Sequence, residues 1–289
     1  MAMKTELRCL PCFFGQVSRS LHHAGVNGDR GRAIMRMAEA IIERAALDDV
    51  PARTTTLIHR MVRGQTGSDP YAAVKREYNR VALALLPALQ AMAQESNDRL
   101  EAGVRVAIAG NVIDFGIYDT VDLDRSVEDS FRLPLVPDVF RLFSDKIRAS
   151  RRILYLCDNA GEIVFDRVLL DILRAMGKDT LAVVKGAPVI NDATLDDARD
   201  AGLVQSSAIM DNGSDGIGTL LETCSPAFLD AYRNADVIIS KGQANYETLA
   251  GECDERTFFL FKVKCPVVAE HLGRPTGDIV LLSRATAQG

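Results

Sequence analysis

The 289-residue chain reads as an α/β protein: a helical domain over residues 1–120, then a three-layer α/β/α domain over residues 121–289. Three observations predict this. From about Arg151 onward, short apolar runs alternate with amphipathic stretches, the texture of consecutive βαβ units. The runs are unbroken, as parallel strands buried on both faces require. Before about Gly116, apolar residues recur every three or four positions, which gives helices one buried face.

The elements follow in order. Residues 9–23 form a first helix, ended by Ala24-Gly25. Over 30–47, Ile34, Met37, Ala38, Ile41, Ile42 and Ala45 make one apolar stripe. Pro51 opens a short helix that Gly64 is expected to close. Asp69-Pro70 starts the next as cap and first turn, and Pro87 is expected to kink or end it. Residues 100–112 are helical again, with Ala102, Gly103, Ala107, Ala109 and Gly110 small enough for close packing. Residues 121–143 show no clean period and read as the connection between the two parts. Six strands follow, over 153–157, 180–184, 208–210, 237–240, 258–261 and 279–282, giving a largely parallel, Rossmann-like sheet with helices on both faces.

Composition narrows the function. With 47% hydrophobic residues the chain can bury a substantial core. A net charge of −5, a pI near 5.5 and no long basic run argue against nucleic acid as a partner. No apolar stretch approaches the ~20 residues that span a bilayer, and the N-terminus lacks the apolar core of a signal peptide. The expectation is a cytoplasmic protein without a membrane partner, and no signature of a particular oligomeric state is visible. Six cysteines are too sparse for a disulfide scaffold.

The stretch that organises the chain is residues 153–166. An apolar strand ends in Asp158-Asn159-Ala160-Gly161-Glu162, and a helix begins. Open α/β sheets place ligands beyond the carboxyl ends of their strands. Asp158 and Asn159 offer hard oxygens of the kind Mg²⁺ or Mn²⁺ prefers, and the helix N-terminus attracts anions. A cation and an anion hole on one turn point to a phosphate ester. The plain alternative makes Asp158 a helix cap.

Other strand ends supply further candidates. After the second strand, Asp192 is a third oxygen ligand or, with Asn191, a cap for the helix near Thr194. After the fourth, Lys241 stands where a positive charge meets phosphate, Gly242 permits close backbone approach, and Asn245 is a cap or a substrate contact. Lys185-Gly186 repeats the lysine–glycine pair. Ser214 lies in a Gly-rich loop, residues 211–218, that either wraps a phosphate or sugar, with Ser214 as a substrate contact, or, since it lacks the phosphate-loop and dinucleotide patterns, is on its own an ordinary loop. Lys262 and Lys264 follow the fifth strand, one facing the site or both on the surface. Asn111 and Asp114 are polar among apolar neighbours and either end their helix or reach across to the site. Cys9-x-x-Cys12 is a weak redox or zinc signal.

Together, the N-terminal C-x-x-C, GNVIDFG, DNAGE, KGAPVINDAT, KGQANYE and KVKCPVV, in order from Cys9 to Val268, resemble one family. This is the metal-dependent damage-control phosphatases, long labelled a domain of unknown function, one branch of which was named acidic-residue methyltransferase. The C-x-x-C form is similar to the stand-alone microbial branch. The resemblance implies a helical region packed on an α/β/α domain and a divalent cation (Mg, Mn, Co or Ni) at Asp158, Asn159 and Asp192. It also implies substrate contacts from Glu162, Lys241, Asn245 and Lys264, and a small phosphorylated metabolite, such as a sugar phosphate, as substrate. The branch with the best-described substrates carries RTxK where this chain has Phe261-Lys262-Val263-Lys264, so substrate identity does not transfer.

The reaction expected is metal-assisted phosphomonoester hydrolysis, with Asp158, Asn159, Asp192 and Lys241 as the catalytic set. Asp158 either binds metal while water attacks or acts as a nucleophile. The known aspartyl phosphatases place a second Asp two positions on, where this chain has Ala160, which favours water. Two rivals differ in class. One is an S-adenosylmethionine-dependent carboxyl methyltransferase, for which Asp158-Asn159-Ala160-Gly161 is a poor cofactor loop. The other is a non-catalytic metal- or sugar-phosphate-binding protein.

Overall fold

The computed structural model describes residues 3–112, 135–252 and 254–283. Helices α1 (Cys9–His23), α2 (Gly28–Glu43), α3 (Pro51–Thr66), α4 (Ala72–Glu95) and α5 (Arg99–Val112) come first. After α6 (Pro137–Ala149) the chain alternates. In order it forms β1 (Arg152–Leu156), α7 (Glu162–Ala175), β2 (Asp179–Val184), α8 (Leu195–Asp200), β3 (Ala208–Asp211) and α9 (Pro226–Asn234). Then come β4 (Val237–Lys241), α10 (Gln243–Leu249), β5 (Thr257–Lys262), α11 (Pro266–Leu272) and β6 (Ile279–Ser283). The sheet order is β3-β2-β1-β4-β5-β6, parallel except for the β5–β6 pair. The order reverses between β1 and β4, and the crevice at such a point is where open α/β sheets bind ligands.

Three local expectations change. Gly64 does not stop α3; it sits exposed inside the helix, where a glycine costs only about 1 kcal/mol. The stop is Gly67, left-handed at φ 77°, whose N–H donates to the Arg63 carbonyl. Pro87 does not break α4. Its ring lies on the exposed side, so water can serve the Leu83 carbonyl that loses its helical donor. Residues 137–143, expected as connection, are helical, with Pro137 in the first turn and Val139 and Phe143 buried. The rest of that connection up to residue 134, and Asp114 with it, lies outside the described residues.

Successive strand residues point to opposite faces, and two cores result. On one face Ile153 and Tyr155 pack with Leu89, Val104 and Ile108 of α4 and α5 and with Phe165 and Leu169 of α7. On the other, Leu154 and Leu156 pack with Phe13, Ile34 and Ile58 of α1, α2 and α3. The N-terminal helices therefore share both cores with the sheet, and truncating a buried Leu or Ile in either costs about 2–5 kcal/mol. The small residues of α5 work as expected. A Cβ on Gly103 would meet Ile172 at 2.7 Å, and one on Gly110 would meet Phe165 at 2.8 Å. Among the described residues no helix is long and apolar enough to cross a membrane.

Candidate active site

β1 and β2 deliver their loops to one spot. The loop after β2 folds back so that the Ala193 N–H donates to the Asp158 carbonyl at 2.8 Å and the Ala160 N–H to the Asn191 carbonyl at 2.9 Å. Asn159 and Asp192 pair as an isolated antiparallel bridge. The reversal is made at Ile190, whose φ of 44° is a true outlier for a β-branched residue. Such strain persists only where the surroundings impose it, and it clusters at functional sites. Here it turns Asp192 towards Asp158.

None of the acids caps a helix. Gly161 precedes α7, Thr194 opens α8 with its N–H and hydroxyl both donating to Asp197, and Gly242 precedes α10. Asn245 lies inside α10. Gly242 has φ 84°, and a Cβ there would run into the Asp158 carboxylate, so only glycine lets β4 pass this close.

Asp158 is held by one of its two oxygens. Its Oδ2 accepts from Asn111 Nδ2 at 3.1 Å and from Asn159 Nδ2 at 2.7 Å. The same two amides donate to Glu162 Oε2, at 2.9 and 3.1 Å. Asn111, reaching across from α5, is itself fixed by the Lys262 N–H donating to its Oδ1 at 2.9 Å. Four side-chain oxygens remain. Among the described residues no hydrogen bond reaches Asp158 Oδ1, Asn159 Oδ1 or either Asp192 oxygen, of which Oδ2 is buried. Lys185 Nζ stands 3.5 Å from Asp192 Oδ2, an ion pair without hydrogen-bond geometry, and also donates to the Gly218 carbonyl.

Behind this floor lies a buried relay. Lys241 is fully buried and donates to Glu162 Oε1 at 2.6 Å, Asp166 Oδ1 at 2.6 Å and the Ala107 carbonyl at 2.8 Å. Tyr155 donates to the same Asp166 oxygen at 2.7 Å. All three ammonium protons are therefore used. This differs from the expectation that Lys241 meets phosphate: its charge faces inward and reaches the site through Glu162.

The electrostatics divide accordingly. Burial penalises the Lys241 charge, but Asp166 and Glu162 outweigh it and raise its pKa. Burial pushes Glu162 up, yet Lys241 and Asn111 pull it net below the ordinary range. Asp166, where burial outweighs Lys241, sits at about 6. Asp158 is driven well above its usual value by burial, then by Glu162 and Asp192. Burial also raises Asp192 against the pull of Lys185. The floor thus carries acids with too little positive charge to balance them. Hard oxygens without hydrogen bonds on three neighbouring side chains suit a divalent cation. Among the described residues no group of three or more His, Cys, Asp and Glu side chains forms a metal cluster, and this set differs in kind, being two Asp and one Asn.

Asp158, Asn159 and Asp192 line a cavity of about 270 Å³ together with Lys264, whose side chain is exposed at the rim. Cys9, buried, and Cys12, exposed, line it from α1. Asn245 instead braces β4, donating to the Lys241 carbonyl at 2.7 Å and accepting from Thr219 at 2.8 Å. Ser214 turns into its own loop, 2.7 Å from Thr223 Oγ1. That loop is tied down, since Asp215 bonds Arg63 at 2.6 Å and the Ile217 N–H donates to Thr56 at 3.0 Å. Sequence reasoning missed Asp166, Tyr155, Gln243 and Glu247. A signal existed for Asp166: it follows Glu162 by four residues, so two acids share one helix face and require a cation between them.

The model for the damage-control phosphatase ARMT1-like domain matches residues 5–280. The chain belongs to this family. Relatives within reach of it include an uncharacterized protein of Methanocaldococcus jannaschii, 38% identical over 98% of this chain and 96% of that one. A protein of Pyrococcus horikoshii named a damage-control phosphatase is 33% identical over 97% and 98%, and another so named from Archaeoglobus fulgidus is 31% identical over 96% and 98%. The crystal structure of a DUF89 family protein from Pyrococcus horikoshii superposes with a TM-score of 0.89 at 32% identity, covering 97% of this chain and 99% of that one. Family membership supports a phosphatase role and agrees with the mixed α/β fold.

Proposed function

We propose that the protein is a divalent-metal-dependent phosphatase that hydrolyses small phosphorylated metabolites, sugar phosphates or damaged phosphometabolites among them. The observation that carries the reading is the set of side-chain oxygens without a hydrogen bond among the described residues, on Asp158, Asn159 and Asp192, at the sheet's switch point. These residues would hold the cation, which when bound polarises the phosphoryl group and neutralises developing charge. Asn111 and Asn159 keep the Asp158 carboxylate aimed by occupying its other oxygen. Glu162, itself neutralised by Lys241, anchors both amides from behind. Lys264, exposed at the rim, supplies a positive charge for the non-bridging oxygens. A cavity of 270 Å³ suits a small metabolite rather than a polymer.

The test is a phosphate-release screen over sugar and cofactor phosphates, run on chelator-treated protein with Mg²⁺, Mn²⁺, Co²⁺ or Ni²⁺ restored. Release is expected only with metal, and Asp158→Asn should lose about 10²–10³-fold in rate, by analogy with a removed oxyanion-stabilising group. Metal-independent turnover that survives Asp158→Asn refutes the reading.

A further inference from the structure

We propose that Glu247 is a catalytic general acid that donates its carboxyl proton to the leaving oxygen of the phosphomonoester. The inference rests on the hydrolase reading above. Three acids line the 270 Å³ cavity: Asp158, Asp192 and Glu247. The first two belong to the oxygen cluster, so Glu247 is the acid left for proton transfer.

Its setting is built for the task. Gln243 lies one turn earlier on α10. The Lys264 and Cys265 backbone N–H groups donate to Gln243 Oε1 at 2.9 and 3.1 Å. Two donors on that oxygen fix which way the amide points, so Nε2 is turned to Glu247 Oε1, at 2.8 Å. One carboxyl oxygen is thereby anchored. The other has no hydrogen bond among the described residues, and Glu247 forms no ion pair among them. The other titratable groups that line the cavity are Arg8, Cys9 and Cys12, Lys264 and Cys265, and the Asp158–Asp192 pair. Arg8 is committed to Glu6 and Glu270, each at 2.6 Å. Glu247 is half-buried in the cavity wall, and desolvation there, opposed only by the Gln243 hydrogen bond, lifts its pKa to about 7, which matches a proton donor to neutral conditions.

The step balances. The water oxygen bonds to phosphorus, the bond from phosphorus to the alcohol oxygen breaks, and its electron pair stays on that oxygen. The alcohol oxygen takes the Glu247 proton. The attacking water sheds a proton to solvent, and Glu247 regains one from solvent. Monoester dianion and water give alcohol and hydrogen phosphate.

An alkoxide leaves poorly without a proton, whereas p-nitrophenolate leaves well without one. The experiment therefore compares two substrates in Glu247→Gln: the alkyl phosphomonoester released fastest in the screen, and p-nitrophenyl phosphate. The metal-loaded full-length protein is used, with thermal melting to verify folding. The alkyl ester should lose about 10²–10⁴ in kcat, while the aryl ester stays within a few-fold, and Glu247→Asp should restore part of the alkyl rate. Equal losses on both substrates, or no loss on the alkyl ester, overturn the assignment while leaving the hydrolase reading intact. Wild-type protein that releases no phosphate from either substrate overturns both.

Discussion

Two clusters of charge sit within a few residues of one another at the carboxyl ends of β1 and β4, and they are opposites. In the relay, Lys241 bonds Glu162 Oε1 and Asp166 Oδ1, and Tyr155 bonds that same Asp166 oxygen, so each carboxylate has a cation or donor against it although Asp166 Oδ2 has no hydrogen bond. On the floor, Asp158 and Asp192 keep oxygens without a hydrogen bond among the described residues, and only Lys185, as an ion pair at 3.5 Å, stands against Asp192. A buried ammonium with all its protons bonded rigidifies what it touches, whereas accessible hard oxygens without donors suit a cation. The difference teaches that charged residues at one strand end divide into those that hold and those that are held ready. Lys241 belongs to the first kind despite its place in the sequence.

The comparison breaks most visibly at Lys241. In Lys241→Met, Glu162 and Asp166 lose their cation in a dry interior, and stability should fall by about 3–5 kcal/mol. Denaturant unfolding measures this. Adding Glu162→Gln and Asp166→Asn to the same chain should return much of the loss. A Lys241→Met protein as stable as wild type, but inactive, would move Lys241 from the holding group to the binding group. Next in size is the response to metal. Mn²⁺ at 100 times its Kd should stabilise the wild type by about 2.7 kcal/mol. Thermal melting should show that gain nearly abolished in Asp192→Asn; an equal gain in the variant would place the ion elsewhere.

The smallest effect sharpens the contrast through pH. The folded pKa of Asp158 lies above its ordinary 3.8, so the folded state binds the extra proton. Its contribution to stability is full below about 3.8 and is lost as the pH rises through the raised folded value. Metal-free wild type should therefore gain stability relative to Asp158→Asn as the pH is lowered from 8 towards 5. Urea midpoints across that range check the sign, and a gap that moves the other way contradicts the crowded floor.

Much of this was readable in the chain. The strands lay within two residues of their predicted ends because buried parallel strands are written as continuous apolar runs. Asp158, Asn159 and Asp192 were readable as strand-end oxygens. Gly64 and Pro87 misled because each lies on an exposed helix side, where a breaker is tolerated. Asn245 and Ser214 looked like ligand contacts and turned out to brace loops, since hydrogen-bonding side chains serve either role and only their neighbours decide.

By itself the sequence determined the α/β pattern, the order of the elements and which turns carry oxygens, because periodicity and turn chemistry are local. Only the tertiary structure decided that Ile190 is forced left-handed so that Asp192 meets Asp158, that Lys241 points into the core, and that Glu247 shares the cavity. Those facts depend on contacts between residues tens of positions apart. Whether a charge is spent or free is a property of what surrounds it, and no single stretch of chain contains its own surroundings.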